Sequence, residues 1–185
     1  DSKNNDSALY YLNAAKEMIM QQKDKKHLAA IYNNLGNIYR DQKQYFIAKT
    51  NYLEAYRIWI ENEDNTYISA YSNNLSNVYL NLQQYDSSIY FANINIKSSQ
   101  ITNDIGSLIQ GYFNKAKIYQ EIKDFDSSLY YYHQCLAWKD SLLIQRSKKW
   151  ISEMHMKYEF GKKEKEIEFL AKRNSLYQLL WIISV

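Results

Sequence analysis

The chain has 185 residues, no proline, four glycines (Gly36, Gly106, Gly111, Gly161), one cysteine and a formal net charge of +3. That length bounds it to one domain plus an appendage, and so little glycine and proline excludes hairpin-rich β architectures and glycine-rich phosphate loops. Cys135 alone can form neither an internal disulfide nor a thiolate cluster, and the basic charge sits in residues 146–173 (nine Lys/Arg against five Asp/Glu) and not on a broad face, so nucleic acid is excluded as a partner of this region.

In chain order, the first element is half of a repeat. Asp6-Ser7-Ala8-Leu9-Tyr10-Tyr11 matches Asp86-Ser87-Ser88-Ile89-Tyr90-Phe91 and Asp126-Ser127-Ser128-Leu129-Tyr130-Tyr131. Full units follow. Asn34-Leu35-Gly36-Asn37-Ile38-Tyr39 matches Asn74-Leu75-Ser76-Asn77-Val78-Tyr79 and Asn114-Lys115-Ala116-Lys117-Ile118-Tyr119, each step being 40 residues. The expected boundaries are a half repeat at 6–22, full repeats at 25–62, 65–101 and 105–140, and a helical segment from 141.

Each unit reads as two amphipathic helices, because apolar residues recur three and four apart: Ile31, Leu35, Ile38 and Tyr39, then Ala48, Tyr52, Ala55 and Ile58. Small residues at Gly36, Ser76 and Ala116 allow close approach of the second helix, and Asp6, Asp86 and Asp126 are expected as N-caps. The nineteen tyrosines, many at fixed repeat phase, are expected to be packing residues with a polar tip at the surface.

Tyr32, Leu35, Gly36, Tyr39, Tyr45, Ala48, Tyr52 and Ala55 resemble the tetratricopeptide-repeat (TPR) signature. The later units depart from it at Ser76, Asn95, Lys115 and Cys135, and none has the closing proline. The resemblance implies an all-α, right-handed superhelical stack of helical hairpins over residues 1–140 followed by a long C-terminal helix. The usual period is about 34 residues, so a 40-residue unit implies longer helices.

In such a stack the first helix of each repeat lines the concave face. Its polar positions are Asn33, Asn34 and Asn37, then Asn73, Asn74 and Asn77, then Asn114 and Lys117. An asparagine amide both donates and accepts, so a ladder of them suits the backbone of a bound peptide, as in similar ladders of some TPR families. The same residues could instead tie neighbouring helices together, and both readings stand at this stage.

No chemistry competes with binding. His27, His133 and His155 lack metal-binding spacing, and no nucleophile elbow, Walker loop or dinucleotide fingerprint occurs. The expectation is a non-enzyme with no cofactor and no metal.

From 141 to 175 the only helix breaker is Gly161. Met156, Phe160, Lys163, Ile167, Leu170, Asn174, Tyr177 and Trp181 alternate steps of four and three, the spacing of a coiled-coil seam and so of a homodimer. Residues 176–185 are almost wholly apolar, about half of the ~20 residues a span needs, and read as the opening of a truncated transmembrane helix. Repeats, a Lys/Glu-rich segment and an apolar run together resemble the sensor part of bacterial TPR-containing histidine kinases and related transcriptional regulators. That resemblance implies a peptide- or protein-binding sensor, membrane-anchored on the periplasmic side of the inner membrane; the alternative is a cytosolic adaptor whose apolar tail docks on a partner.

Overall fold

A computed structural model describes the backbone of residues 2–183 and the side chains of residues 7–174. Seven helices and no strand occur among the described residues: α1 (Ser2–Gln22), α2 (Lys25–Asp41), α3 (Tyr45–Glu61), α4 (Asn65–Asn81), α5 (Tyr85–Thr102), α6 (Ile105–Glu121) and α7 (Phe125–Ile183). The chain divides into two units, Asp1–Lys139 and Asp140–Val185.

Within the first unit the 40-residue period resolves into two identical halves. Helices α2, α3, α4 and α6 are each 17 residues long, so helix plus three-residue turn advances the chain by 20. At every turn one residue takes left-handed backbone: Lys23, Lys43, Glu63, Gln83, Asn103 and Lys123, with φ between 53° and 63°. The hydrogen bonds are those of a Schellman motif. Lys43 N–H donates to the Arg40 carbonyl and Gln44 N–H to the Tyr39 carbonyl, both at 2.8 Å, and the turns at 83 and 123 repeat the pattern.

The residue that closes one helix also starts the next. Asp24, Asp64 and Asp104 accept from the backbone N–H of His27, Thr66 and Ser107 at 3.1–3.2 Å, and Asp124 does so from Ser127 at 3.1 Å. Side-chain hydrogen bonds with His27, Ser107 and Ser127, helped by these backbone ones, hold the carboxyls of Asp24, Asp104 and Asp124 below the usual range. The expected caps are therefore corrected. Asp86 and Asp126 lie in the first turns of α5 and α7, where a carboxylate still meets the positive end of the helix dipole, and Asp6 lies outside the described side chains.

The core forms where small residues let paired helices close. The Tyr52 ring lies against Gly36, where a Cβ would come within 2.5 Å of it. In the middle repeat serines take this role. Ser88 Oγ donates to the Ser76 carbonyl at 2.7 Å and Ser76 Oγ to the Ser88 carbonyl at 3.0 Å, while Asn95 Nδ2 donates to the Ser69 carbonyl and hydroxyl. Asn95 Oδ1 has no hydrogen-bond partner. It faces Gly111, and a Cβ there would collide with it and with Ile96. The glycine C–H that points at this oxygen makes a weak contact that only glycine permits.

The tyrosines divide into two groups. Tyr52 and Tyr71 are buried, and Tyr79 and Tyr119 stack on Phe91 and Tyr131. Tyr10, Tyr90 and Tyr130, also in repeat phase, are 71%, 60% and 57% exposed, which departs from the packing role expected of them. They sit on the outward side of the second helices, edge-on to Tyr11, Phe91 and Tyr131.

The second helix of the third repeat does not stop near 140, because α7 runs on unbroken. The 20-residue phase places the next turn at 142–144, and the residues there are Leu142-Leu143-Ile144. None of them caps a helix or tolerates left-handed backbone, so the helix continues. In the second unit nearly every described side chain is exposed.

The expectation of a membrane-anchored, periplasmic location is corrected here. Among the described residues no helix is long and apolar enough to cross a membrane. Between 157 and 173, α7 carries a Lys, Arg or Glu at ten positions, each costly in hydrocarbon. The side chains of the apolar stretch 176–185, including Tyr177 of the expected seam, lie outside the described residues.

Candidate peptide-binding face of the first helices

Helices α2, α4 and α6 are the first helices of successive repeats, and asparagine pairs join them. Asn74 Nδ2 donates to Asn33 Oδ1 at 2.9 Å, and Asn114 Nδ2 donates to Asn73 Oδ1 at 2.8 Å. Both rungs span 41 residues, one more than the repeat. Donor and acceptor are thus adjacent residues of the Asn-Asn pair, used in opposite directions. Asn34 has the donor phase and is exposed. At the other end Phe113 replaces the acceptor asparagine.

Each rung uses half of its hydrogen-bonding capacity. Asn33 and Asn73 keep an unused Nδ2 donor, and Asn74 keeps an Oδ1 acceptor, among the described residues. Asn37 Oδ1 accepts from the hydroxyl of Tyr52 at 2.8 Å, which satisfies that tyrosine inside the core. Burial raises the Tyr52 hydroxyl to about 12, against the nearby positive charge of Arg40, which lowers it. Asn77 Nδ2 donates back to the Asn73 carbonyl at 3.0 Å. Lys117 is exposed, its ammonium 5.6 Å from the Phe113 ring centre.

The eight residues singled out in the sequence therefore play different parts. Asn33, Asn74, Asn73 and Asn114 form two inter-repeat rungs, and Asn37 supports Tyr52. Asn34 and Lys117 are exposed. Sequence reasoning missed Lys115, which occupies the phase of Leu35 and Leu75. It is 8% exposed, and its ammonium donates to Asn93 Oδ1 at 2.9 Å and to the Tyr131 hydroxyl at 2.8 Å, 4.1 Å from the Tyr131 ring centre. Its signal was a polar residue at a core phase.

The described seam positions of α7 stand open: Met156, Phe160 and Ile167 are 61–72% exposed, Leu170 is 38% exposed, and Asn174 is exposed. No group of three or more His, Cys, Asp or Glu among the described residues is placed to hold a metal. Cys135 is buried, and burial raises its thiol even though Lys139 opposes the shift.

Paired antiparallel helices in tandem, packed through small residues and knitted along their first helices, define a helical-repeat scaffold. Residues 27–93 match the family model for the tetratricopeptide repeat. No match was found among curated proteins. Solved structures share the fold. BtubC from P. vanneervenii superposes with a TM-score of 0.68 at 19% identity, over 76% of this chain and 58% of that one. The TPR domain of Arabidopsis FLU gives 0.60 at 16% identity, over 63% and 98%. A Rap protein complexed with competence and sporulation factor gives 0.51 at 18% identity, over 78% and 50%. The chain thus spans little more than half the length of BtubC and half that of the Rap protein.

Proposed function

We propose that the chain is a non-catalytic adaptor that holds an extended peptide segment of a partner protein across α2, α4 and α6. The observation that carries this reading is the half-used asparagine ladder. The Asn33–Asn74 rung leaves a donor and an acceptor on half-buried residues, which is what one peptide unit of a bound strand requires, and the second rung leaves the Asn73 donor, its Asn114 being buried. Neighbouring helices lie about 8–10 Å apart, so successive rungs meet an extended chain about every three residues. A Rap protein of similar fold was solved with a factor bound, which supports ligand capture by such a stack. The exposed Lys117 then sets direction, because its ammonium favours an acidic side chain or the peptide's C-terminus.

Selection of a random displayed peptide library on the full chain tests this. Peptides should be enriched, and Asn34→Ala with Asn74→Ala should weaken a selected peptide at least about tenfold. Because Asn74→Ala also removes the bond to Asn33, binding is compared well below each variant's thermal midpoint. N-methylation at alternate peptide amides should also abolish binding. Binding indifferent to both changes, or no enrichment at all, overturns the proposal. Asn37→Ala is a poor probe, since it orphans the buried Tyr52 hydroxyl.

A further inference from the structure

One polar cluster inside the first unit lies apart from the asparagine rungs. Asn114 reaches from α6 to α4, but its neighbour Lys115 reaches to the second helices, to Asn93 on α5 and to Tyr131. In the preceding repeat the same three phases hold Leu53, Leu75 and Phe91, which pack in one apolar cluster. The third repeat thus has an amide, an ammonium and a phenol where its predecessor has hydrocarbon. A covered ammonium is costly unless it is paired. Lys115 is 8% exposed, and among the described residues no carboxylate pairs with it.

The cluster has hydrogen-bond donors to spare. Lysine only donates, so Asn93 turns Oδ1 toward it and Nδ2 away. Tyr131 accepts from Lys115 through its oxygen, which leaves its own O–H free to donate. Among the described residues neither Asn93 Nδ2 nor the Tyr131 O–H has an acceptor, and the ammonium keeps a third N–H. Accepting from a cation polarises the amide and the phenol and strengthens the bonds that they donate. The Tyr131 ring is held in place, stacked on Tyr119 at 5.3 Å and on Tyr112 at 6.3 Å. Asn93 is exposed, so a ligand arriving from its side meets a charge that is largely shielded from water.

We infer that Asn93, Lys115 and Tyr131 bind a carboxylate. One unpaired positive charge matches a singly charged anion, and the two carboxylate oxygens, with about four lone-pair sites, take all three donors. A phosphate dianion would leave a charge uncompensated at the same place. Because Lys115 is turned to the second helices, carboxylate capture is independent of a peptide strand held by the rungs on α2, α4 and α6.

NMR titration of the isotope-labelled full chain with sodium acetate, at an ionic strength held constant with sodium chloride, tests this. The Asn93 side-chain amide and the Lys115 backbone amide should shift saturably, with a dissociation constant in the millimolar range. Lys115→Met should weaken binding at least about tenfold, and Tyr131→Phe about threefold. Asn93→Leu with Lys115→Leu and Tyr131→Phe restores the residues of the preceding repeat. That variant should not bind acetate, while its thermal midpoint holds or rises. N-acetylaspartate amide identifies the source of the carboxylate. Binding as tight as that of acetate places it on a partner protein, exclusion makes it a free small acid, and either result supports the site. Shifts that never saturate, acetate affinity unchanged in Lys115→Met, or tighter binding of inorganic phosphate overturns the inference. So does a lowered midpoint in the triple variant when the wild type binds no acetate, which assigns the cluster to the fold alone.

Discussion

At Gly111 one hydrogen atom separates fit from collision. A methyl there meets Asn95 Oδ1 and Ile96, so Gly111→Ala should cost about 1–3 kcal/mol in urea unfolding. In an Asn95→Ala background the added methyl gains room, and the two effects should fall short of additivity by at least about 0.5 kcal/mol. Full additivity means that the oxygen and the glycine do not oppose each other. The buried hydroxyls give a second residue-scale expectation. Burial raises Tyr52 to about 12 and also raises Tyr56, Tyr71 and Tyr79. An unfolded chain ionises its tyrosines near 10 while the folded chain keeps these protonated. Their contribution to stability is therefore complete below pH 10 and lost as pH rises toward 12. Tyrosinate absorbance should rise in two stages, the second coincident with loss of helix; a single stage at pH 10 with the helix intact counts against the burial.

At the scale of elements, the turns carry the least suitable residues. Five of the six left-handed positions are Lys, Glu or Gln, whose Cβ is crowded there, and only Asn103 suits the conformation. Lys43→Gly and Gln83→Gly should each raise stability by about 0.5–1 kcal/mol, read as an upward shift of the thermal midpoint, and a fall in either variant contradicts the turn geometry. These turns explain what the sequence hid. Lys, Glu and Gln announce nothing about φ, so the 20-residue phase was invisible while the 40-residue phase of Leu35, Leu75 and Tyr39, Tyr79, Tyr119 was plain. The caps went astray for a local reason: Asp86 and Asp126 lie two residues past the true cap positions, and Gln84 supplies no side-chain bond to mark one of them. The pairing of Asn33 with Asn74 and of Asn73 with Asn114 follows the Asn-Asn repeat of the sequence, but the repeat does not distinguish Asn37, which serves Tyr52, from Asn34, which is exposed.

At the scale of the molecule, stability should follow the density of buried contacts. The middle repeat, α4 with α5, holds buried Ser69, Ser72, Ser76, Ser88, Asn95, Ser98 and Ser99 together with Leu75, Val78, Phe91 and Ala92. Repeat stacks open from their ends, so amide hydrogen exchange should be slowest in α4 and α5 and fast beyond residue 140. Slowest exchange in α1 or α2 contradicts this. The identical turns carry a last implication. Because every helix after α1 begins on the same fused stop-and-start, the chain is divided into interchangeable lengths of twenty residues. A forty-residue block inserted or deleted between turn positions leaves each remaining junction with the neighbours it had. Such proteins can lengthen or shorten by duplication without inventing a new joint, and the place where that growth halts is marked by two apolar residues, Leu143 and Ile144.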